Sequence, residues 1–213
     1  ITFSEFINKN EVKTSEKIIF GIIKKLNLTI YKQNKLIYSE KILKKYVQDK
    51  VVKKIETLFP LSVEIESLYK YKYLVINGKS FLNLSFCIDK IMSNTKIVKS
   101  LSTFNVSEIH GDLTLENILI KDRDFFLIDP NNENYISDKI IDYAKLYQSL
   151  NSGYEFLFQL KDVQVNNNRI SFIDNKSKQY EELYRKLDDY FKSTVSSDDY
   201  KNIRFHEGVH FTR

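Results

Sequence analysis

Two short apolar runs separated by a charged turn constrain the fold of this chain more than any other feature. The runs are residues 118–120 and 125–128, and such a pattern predicts a β-hairpin. Asp112 and Asn117 precede the first run, and Asp129 follows the second. Because a hairpin brings its two ends together, we expect Asn117 and Asp129 to face each other across the strand pair.

These polar residues are of the types that phosphate transfer requires. One carboxylate takes a proton from a hydroxyl, while an amide and a second carboxylate hold Mg²⁺. We expect Asp112 to orient the attacking hydroxyl in line with the γ-phosphate, and Asn117 and Asp129 to bind magnesium. Gly111 allows a backbone turn that a side chain would obstruct. His110 is expected to fix the loop rather than to transfer protons.

The segment resembles the catalytic loop of the aminoglycoside phosphotransferase and choline kinase family, which have a protein-kinase-like fold. The shared pattern is His-Gly-Asp, four residues and Asn, here from His110 to Asn117, with a downstream Ile-Asp that ends at Asp129. The resemblance implies that Asp112 is the catalytic aspartate and that Asn117 and Asp129 are the magnesium ligands. It also implies that Asp142, on the following helix, braces the loop.

For the whole chain, residues 1–213, the resemblance implies one mainly helical α+β domain with small embedded β-hairpins. This domain would be the C-terminal lobe of a kinase-like fold, with residues 1–6 just after the hinge between the lobes. Kinases cover the ATP phosphates with a loop of a strand-rich N-terminal lobe. The five glycines here are not clustered, and no strand-rich region precedes residue 14. We therefore expect the nucleotide-binding lobe to lie upstream of Ile1, and no nucleotide-binding residue is assigned in this chain.

Local patterns predict the remaining elements. Thr2 and Glu5 form a capping box that opens a short helix through about Asn8. The signal Asn77-Gly78 predicts a hairpin within residues 73–81. A second hairpin is predicted at residues 163–172, and residues 64–72 are compatible with a helix. Apolar periodicity and capping residues predict further helices at about 14–31, 39–59, 85–102, 138–152, 154–160, 177–193 and 198–210.

Bulk properties exclude several classes of protein. A single cysteine, Cys87, rules out an intrachain disulfide and fits a reducing compartment. No apolar run approaches the roughly 18–20 residues that cross a bilayer, and no signal-peptide pattern opens the chain, so we expect a cytoplasmic protein without a membrane span. The net charge of +5 comes from lysines at helical spacing, which predicts solvated helix faces and no nucleic-acid partner.

A competing motif lies near the end of the sequence. His206, Glu207 and His210 match the His-Glu-x-x-His pattern of zinc peptidases. Gly208 weakens the helix that must present both imidazoles. The sequence continues for only three residues beyond His210, which leaves no room for a downstream third ligand. We therefore expect no zinc chemistry here.

The sequence thus predicts an ATP- and Mg²⁺-dependent phosphotransferase that acts on a hydroxyl of a small molecule. A sugar, an amino alcohol and an aminoglycoside all remain open as acceptors. Residues 153–156, Gly-Tyr-Glu-Phe, resemble family members found in bacterial surface-polysaccharide loci. The alternative is a non-catalytic, kinase-derived binding or scaffold domain. Tyr180, Tyr184 and Tyr190 could line an acceptor pocket, but packing in the hydrophobic core is the simpler expectation.

Overall fold

The computed structural model describes residues 1–32, 35–122, 124–157, 159–160 and 162–211, in which the fold is α+β and mainly helical, as predicted. None of the described helices is both long and apolar enough to cross a lipid bilayer. The helices in these ranges are α1 (Phe3–Lys9), α2 (Val12–Thr29), α3 (Glu40–Val47), α4 (Lys53–Glu56), α5 (Val63–Lys70), α6 (Leu84–Met92), α7 (Thr95–Leu101), α8 (Lys139–Leu150), α9 (Tyr154–Leu157), α10 (Lys178–Thr194) and α11 (Ser197–Phe211). The strands are β1 (Lys35–Tyr38), β2 (Tyr73–Ile76), β3 (Lys79–Leu82), β4 (Thr103–Val106), β5 (Ile118–Lys121), β6 (Asp124–Leu127), β7 (Gln164–Asn166) and β8 (Arg169–Ser171).

Helices α1 and α8 begin at the capping residues that the sequence indicated, Thr2 and Asp138. The side chain of Thr2 accepts a hydrogen bond from the backbone nitrogen of Glu5 at 3.2 Å, which confirms the capping box of α1. Helix α2 begins and ends two residues earlier than predicted. The single helix predicted over residues 85–102 is wrong in one respect, because Asn94 caps a new helix and divides the segment into α6 and α7.

The long helix predicted over residues 39–59 is interrupted by a different winding. A π-helical turn, Gln48–Val52, separates α3 from α4. Such turns widen the helix locally and cannot be read from apolar periodicity alone. The turn carries Asp49, whose carboxylate accepts a hydrogen bond from the hydroxyl of Tyr135 at 2.8 Å. Helix α3 is thereby tied to the segment that follows Asp129.

The three predicted hairpins are present, and two of them join into one sheet, which local patterns did not predict. Strand β2 pairs antiparallel with β3 around Asn77 and Gly78, which both have positive φ. Strand β8 pairs antiparallel with β7 and parallel with β2, so two hairpins form one four-stranded sheet in the order β3-β2-β8-β7. Strands β1 and β4 form a further antiparallel pair that was not predicted.

Helix α8 is the central element of the fold. Asp138 caps it, as predicted, by accepting a hydrogen bond from the backbone nitrogen of Ile140 at 3.0 Å. Every residue from Ile140 to Leu150 is buried. Its two flanks belong to different hydrophobic clusters, with Tyr147 in the cluster around α2 and α10, and Ile141 in the cluster around α3 and α7. Polar groups on such a helix are removed from water and therefore need hydrogen-bond or ionic partners in the surrounding structure.

The hairpin β5–β6 is anchored by the first residues of the chain. The backbone oxygen of Ile1 accepts a hydrogen bond from the nitrogen of Ile120 at 2.8 Å, and Thr2 forms a β-bridge with Leu119. Ile118 and Ile120 turn their side chains into the core beneath. The hairpin is therefore held along one edge by backbone pairing and on one face by the core.

Candidate active site

The register of β5 and β6 determines where the predicted magnesium ligands lie. Ile118 pairs with Leu127, and the backbone nitrogen of Ile128 donates to the oxygen of Asn117 at 3.0 Å. Asn117 therefore sits opposite Ile128, and Asp129 is the next residue along the chain. Both residues lie at the same end of the hairpin, but the expectation that they face each other across the strand pair is off by one residue.

Asn117 also contacts Asp112 directly. Its amide nitrogen donates to the backbone oxygen of Asp112 at 2.8 Å and to the carboxylate Oδ2 at 3.2 Å. Both hydrogen bonds use the nitrogen, so the amide oxygen is the atom of Asn117 that is suited to a metal. The loop between them is closed by a bond from the nitrogen of Thr114 to the oxygen of Asp112 at 2.8 Å. Asp112 and Asn117 thus form one unit.

Asp129 has a strained backbone. Its φ angle is +53°, in the left-handed region, and the following residue is Pro130, which disfavours helical backbone conformations in its predecessor. The side chain is exposed. Strain of this kind costs about 1–3 kcal/mol and concentrates at functional sites, where the surrounding structure maintains it. Strand β6 ends at Leu127, so the left-handed conformation of Asp129 lies just beyond the regular strand.

His110 contacts both the loop that carries Asp112 and the end of the hairpin. Its ring Nε2 lies 2.9 Å from the backbone oxygen of Ile128, and its Nδ1 lies 3.4 Å from the backbone nitrogen of Asp112. A ring that carries its proton on Nε2 satisfies both contacts. His110 is buried and joins the loop to the end of the hairpin, which is the geometry expected of a supporting residue.

Asp142 holds the backbone on the other side of the loop. Its Oδ2 accepts a hydrogen bond from the nitrogen of His110 at 2.8 Å, and its Oδ1 accepts one from the nitrogen of Gly111 at 2.7 Å. The hydroxyl of Tyr31 donates to Oδ2 at 2.8 Å. Burial raises the pKa of Asp142, against the three hydrogen bonds, which favour the carboxylate. Asp142 thus hydrogen-bonds the backbone of the loop from helix α8.

Gly111 is required by its surroundings. Its φ angle is +80°, and a Cβ atom at this position would overlap the backbone oxygen of Asn131 and the side chain of Asn134. The nitrogen of Asn131 also donates to the oxygen of His110 at 2.8 Å. The segment after Asp129 therefore packs tightly against the loop that carries Asp112.

Three further residues at this site were missed by the sequence analysis. Lys145 places its ammonium nitrogen 3.0 Å from Oδ1 of Asp112. Ser149 accepts a hydrogen bond from the backbone nitrogen of Leu115 at 3.1 Å, and Tyr31 binds Asp142 as described. Residues 142, 145 and 149 are spaced three and four apart, so they share one face of α8. In the sequence, the spacing of these polar residues among apolar neighbours was the signal that could have identified them.

Magnesium prefers hard oxygen ligands and is commonly bound by one or two carboxylates together with phosphates and water. The exposed carboxylate of Asp129 and the amide oxygen of Asn117 meet that requirement at one end of the hairpin. Within the described residues, no group of three or more His, Cys, Asp or Glu side chains could hold a metal ion.

The His-Glu-x-x-His residues lie in a different environment. The hydroxyl of Tyr46 is 3.2 Å from Nδ1 of His206 and 3.4 Å from Nε2 of His210. Both histidines are buried, and burial lowers the pKa of His206 to about 3. Glu207 turns elsewhere, because its Oε1 accepts a hydrogen bond from the amide of Asn151 at 2.8 Å. Helix α11 thus uses these residues in core contacts with α3 and α8.

The tyrosines considered as an acceptor pocket also contribute to packing. Tyr180 is fully buried, and its hydroxyl donates to the side chain of Ser4 at 2.7 Å. Tyr184 contacts the ring of Tyr147 edge to face, and Tyr190 stacks on Phe20. The simpler expectation, packing in the core, describes these contacts.

Comparison with known proteins adds no family to this geometry. No protein-family model matches the chain, and neither the curated proteins nor the solved structures include a match. What the structure itself defines is a mainly helical α+β protein with a polar site at one end of a β-hairpin.

Proposed function

We propose that this chain is the catalytic, acceptor-binding lobe of an ATP- and Mg²⁺-dependent phosphotransferase with a protein-kinase-like fold. The observation that carries the proposal is the pair of hydrogen bonds from Asn117 to Asp112, made at the end of the hairpin where Asp129 follows. These contacts join the carboxylate proposed to meet a hydroxyl to one proposed oxygen donor for a metal, and Asp129, the second proposed donor, follows at the same end of the hairpin. The acceptor would be a small hydroxyl compound such as a sugar, an amino alcohol or an aminoglycoside.

In the proposed reaction, Asp112 accepts a hydrogen bond from the acceptor hydroxyl and aims its oxygen at the γ-phosphorus of ATP. The new P–O bond forms as the bond to the β-phosphate oxygen breaks, the hydroxyl proton passes to Asp112, and ADP leaves. Asn117 and Asp129 would hold magnesium, which when bound supplies positive charge against the phosphate oxygens. His110 and Asp142 keep the loop in position throughout.

The decisive test is the Asp112→Asn variant of the full-length protein. Transfer of phosphate from ATP should be lost across a panel of sugars, amino alcohols and aminoglycosides, because the hydroxyl loses its proton acceptor. Nucleotide binding, measured as the shift in melting temperature with Mg·ATP, should remain. Asp129→Ala should instead remove that shift, because a magnesium ligand is lost.

The Asp174→Asn variant is the matched control, since Asp174 is exposed and lies outside the site. Full transfer activity in Asp112→Asn would contradict the proposal. A wild-type protein that binds Mg·ATP but transfers phosphate to no acceptor, water included, would favour the non-catalytic binding domain instead.

A further inference from the structure

The ammonium group of Lys145 is buried beside the proposed catalytic aspartate. The side chain of Lys145 is only 1 % exposed, and its nitrogen lies 3.0 Å from Oδ1 of Asp112. The same nitrogen donates a hydrogen bond to Oε1 of Gln148, one turn further along α8, at 3.1 Å. An ammonium group withdrawn from water is stable only when it is paired and hydrogen-bonded. The buried ammonium group of Lys145 therefore depends on the negative charge of Asp112 for its stability.

The two oxygens of the Asp112 carboxylate are contacted by different residues. Lys145 contacts Oδ1, and the amide of Asn117 contacts Oδ2. Two contacts at separate oxygens determine the rotation of the carboxylate as well as its location. Since Lys145 comes from a buried helix, it approaches from the interior, while the Asp112 side chain keeps 26 % of its surface exposed. Oδ1 is itself buried, so an acceptor hydroxyl would approach the carboxylate at Oδ2.

The loop that carries Asp112 has no basic residue of its own except His110. No Lys or Arg occurs from residue 110 to residue 117. The cation next to the carboxylate therefore comes from α8, the same helix that holds the loop backbone through Asp142 and Ser149. One face of one helix thus fixes both the path of the loop and the orientation of its acidic side chain.

We propose that Lys145 is a positioning residue for phosphate transfer, holding the Asp112 carboxylate in the orientation that aligns the attacking oxygen. This inference rests on the proposed function. A small misplacement of a reacting group costs about 100-fold in rate. Loss of Lys145 should therefore lower turnover strongly, whereas nucleotide affinity should change little because the contacts of Lys145 are with Asp112 and Gln148.

The test uses the full-length protein with Mg·ATP as the probe and water as the acceptor, so that no acceptor need be known. Lys145→Met keeps the length of the side chain and removes its charge. We expect kcat for ATP hydrolysis to fall about 100-fold, with KM for Mg·ATP within about twofold of wild type. Lys139→Met, on the same helix but outside the site, should leave both values unchanged.

Combination with Asp112→Asn distinguishes positioning from direct action on phosphate. Because Lys145 acts through Asp112, the double variant should hydrolyse ATP no more slowly than Asp112→Asn alone. Melting temperatures without nucleotide give a second readout. Asp112→Asn should lower the melting temperature, since a buried ammonium loses its carboxylate, and adding Lys145→Met should restore part of the loss.

A kcat of Lys145→Met within threefold of that of an active wild type would overturn this inference but not the proposed function. A further fall of the double variant below Asp112→Asn would also overturn it, since Lys145 would then act independently of Asp112. A wild-type protein that neither binds nor hydrolyses Mg·ATP would overturn the proposed function, and this inference with it.

Discussion

The Oδ1 atom of Asp142 lies 2.7 Å from the backbone nitrogen of Gly111, although the two residues are 31 positions apart in the sequence. A fully buried carboxylate on the central helix therefore holds the residue that precedes Asp112. Because the loop and the helix form one hydrogen-bonded unit, changes at either residue should affect both the stability of the fold and the geometry of the site.

Asp142→Asn should destabilise the protein by about 2–4 kcal/mol, because one of the buried donors from the loop would face an amide NH₂ group instead of an acceptor. Chemical denaturation of both proteins measures the difference. Asp174→Asn serves as a control, since Asp174 is exposed, and it should change the free energy of unfolding by less than about 0.5 kcal/mol. Equal stability of the Asp142 variant and wild type would show that the buried contacts are not formed in solution.

Tyr31→Phe should cost about 1.5–3 kcal/mol, since it removes one hydrogen bond to the charged, buried Asp142. Tyr38→Phe is a matched control because the hydroxyl of Tyr38 also binds a carboxylate, that of Glu40, but in an exposed position. That change should cost less than about 0.5 kcal/mol. Similar costs for the two variants in urea denaturation would contradict the role assigned to Tyr31.

Gly111→Ala should destabilise the protein by about 2–4 kcal/mol, because alanine is strained at φ +80° and its Cβ would overlap Asn131. Gly21→Ala offers the opposite case. Gly21 lies within α2, and an added Cβ would meet nothing within 4 Å, so this variant should be more stable than wild type by about 0.5–1 kcal/mol. Thermal unfolding of both variants checks the predicted opposite signs.

Asn117→Asp should lower the melting temperature in the presence of EDTA, because a second carboxylate would replace the amide that donates to Asp112. Added MgCl₂ should restore part of the loss, since a divalent cation offsets the repulsion between the two carboxylates. Asn168→Asp also loses a side-chain hydrogen bond, to the oxygen of Tyr73, but at an exposed position away from the site. Its melting temperature should not respond to magnesium.

The low pKa of His206 predicts a specific dependence of stability on pH. The folded protein holds the ring neutral down to about pH 3, whereas the unfolded chain takes up a proton near pH 6.5. The stabilisation is therefore complete above pH 6.5 and is lost as the pH falls towards 3, by up to about 1.4 kcal/mol per pH unit. In His206→Gln this contribution is absent, so the difference in unfolding free energy between the two proteins should shrink in acid. A difference that is constant from pH 7 to pH 4 would contradict the prediction.

The sequence by itself determined the local elements and the residue types of the candidate site. Thr2 and Asp138 identified helix starts because a capping side chain needs only its own next few residues. Asn77 and Gly78 identified a hairpin for the same reason, and the apolar runs around the turn before Asp124 identified the hairpin that carries Asn117 and Asp129 at one end, although its register differs by one residue from the expectation. Each of these signals depends on only a few neighbouring residues, so it can be recognised from the sequence alone.

Tertiary structure alone decided how distant residues meet at the site. The pairing of β1 with β4 and of β2 with β8 joins segments more than 60 residues apart, and no local pattern encodes such contacts. Tyr31 and Lys145 match the pattern of their predicted helical segments, yet Lys145 contacts Asp112 in the loop and Tyr31 contacts Asp142, which holds the loop. Burial makes these contacts energetically important, because a charge that is removed from water destabilises the fold unless the packed structure places a partner beside it.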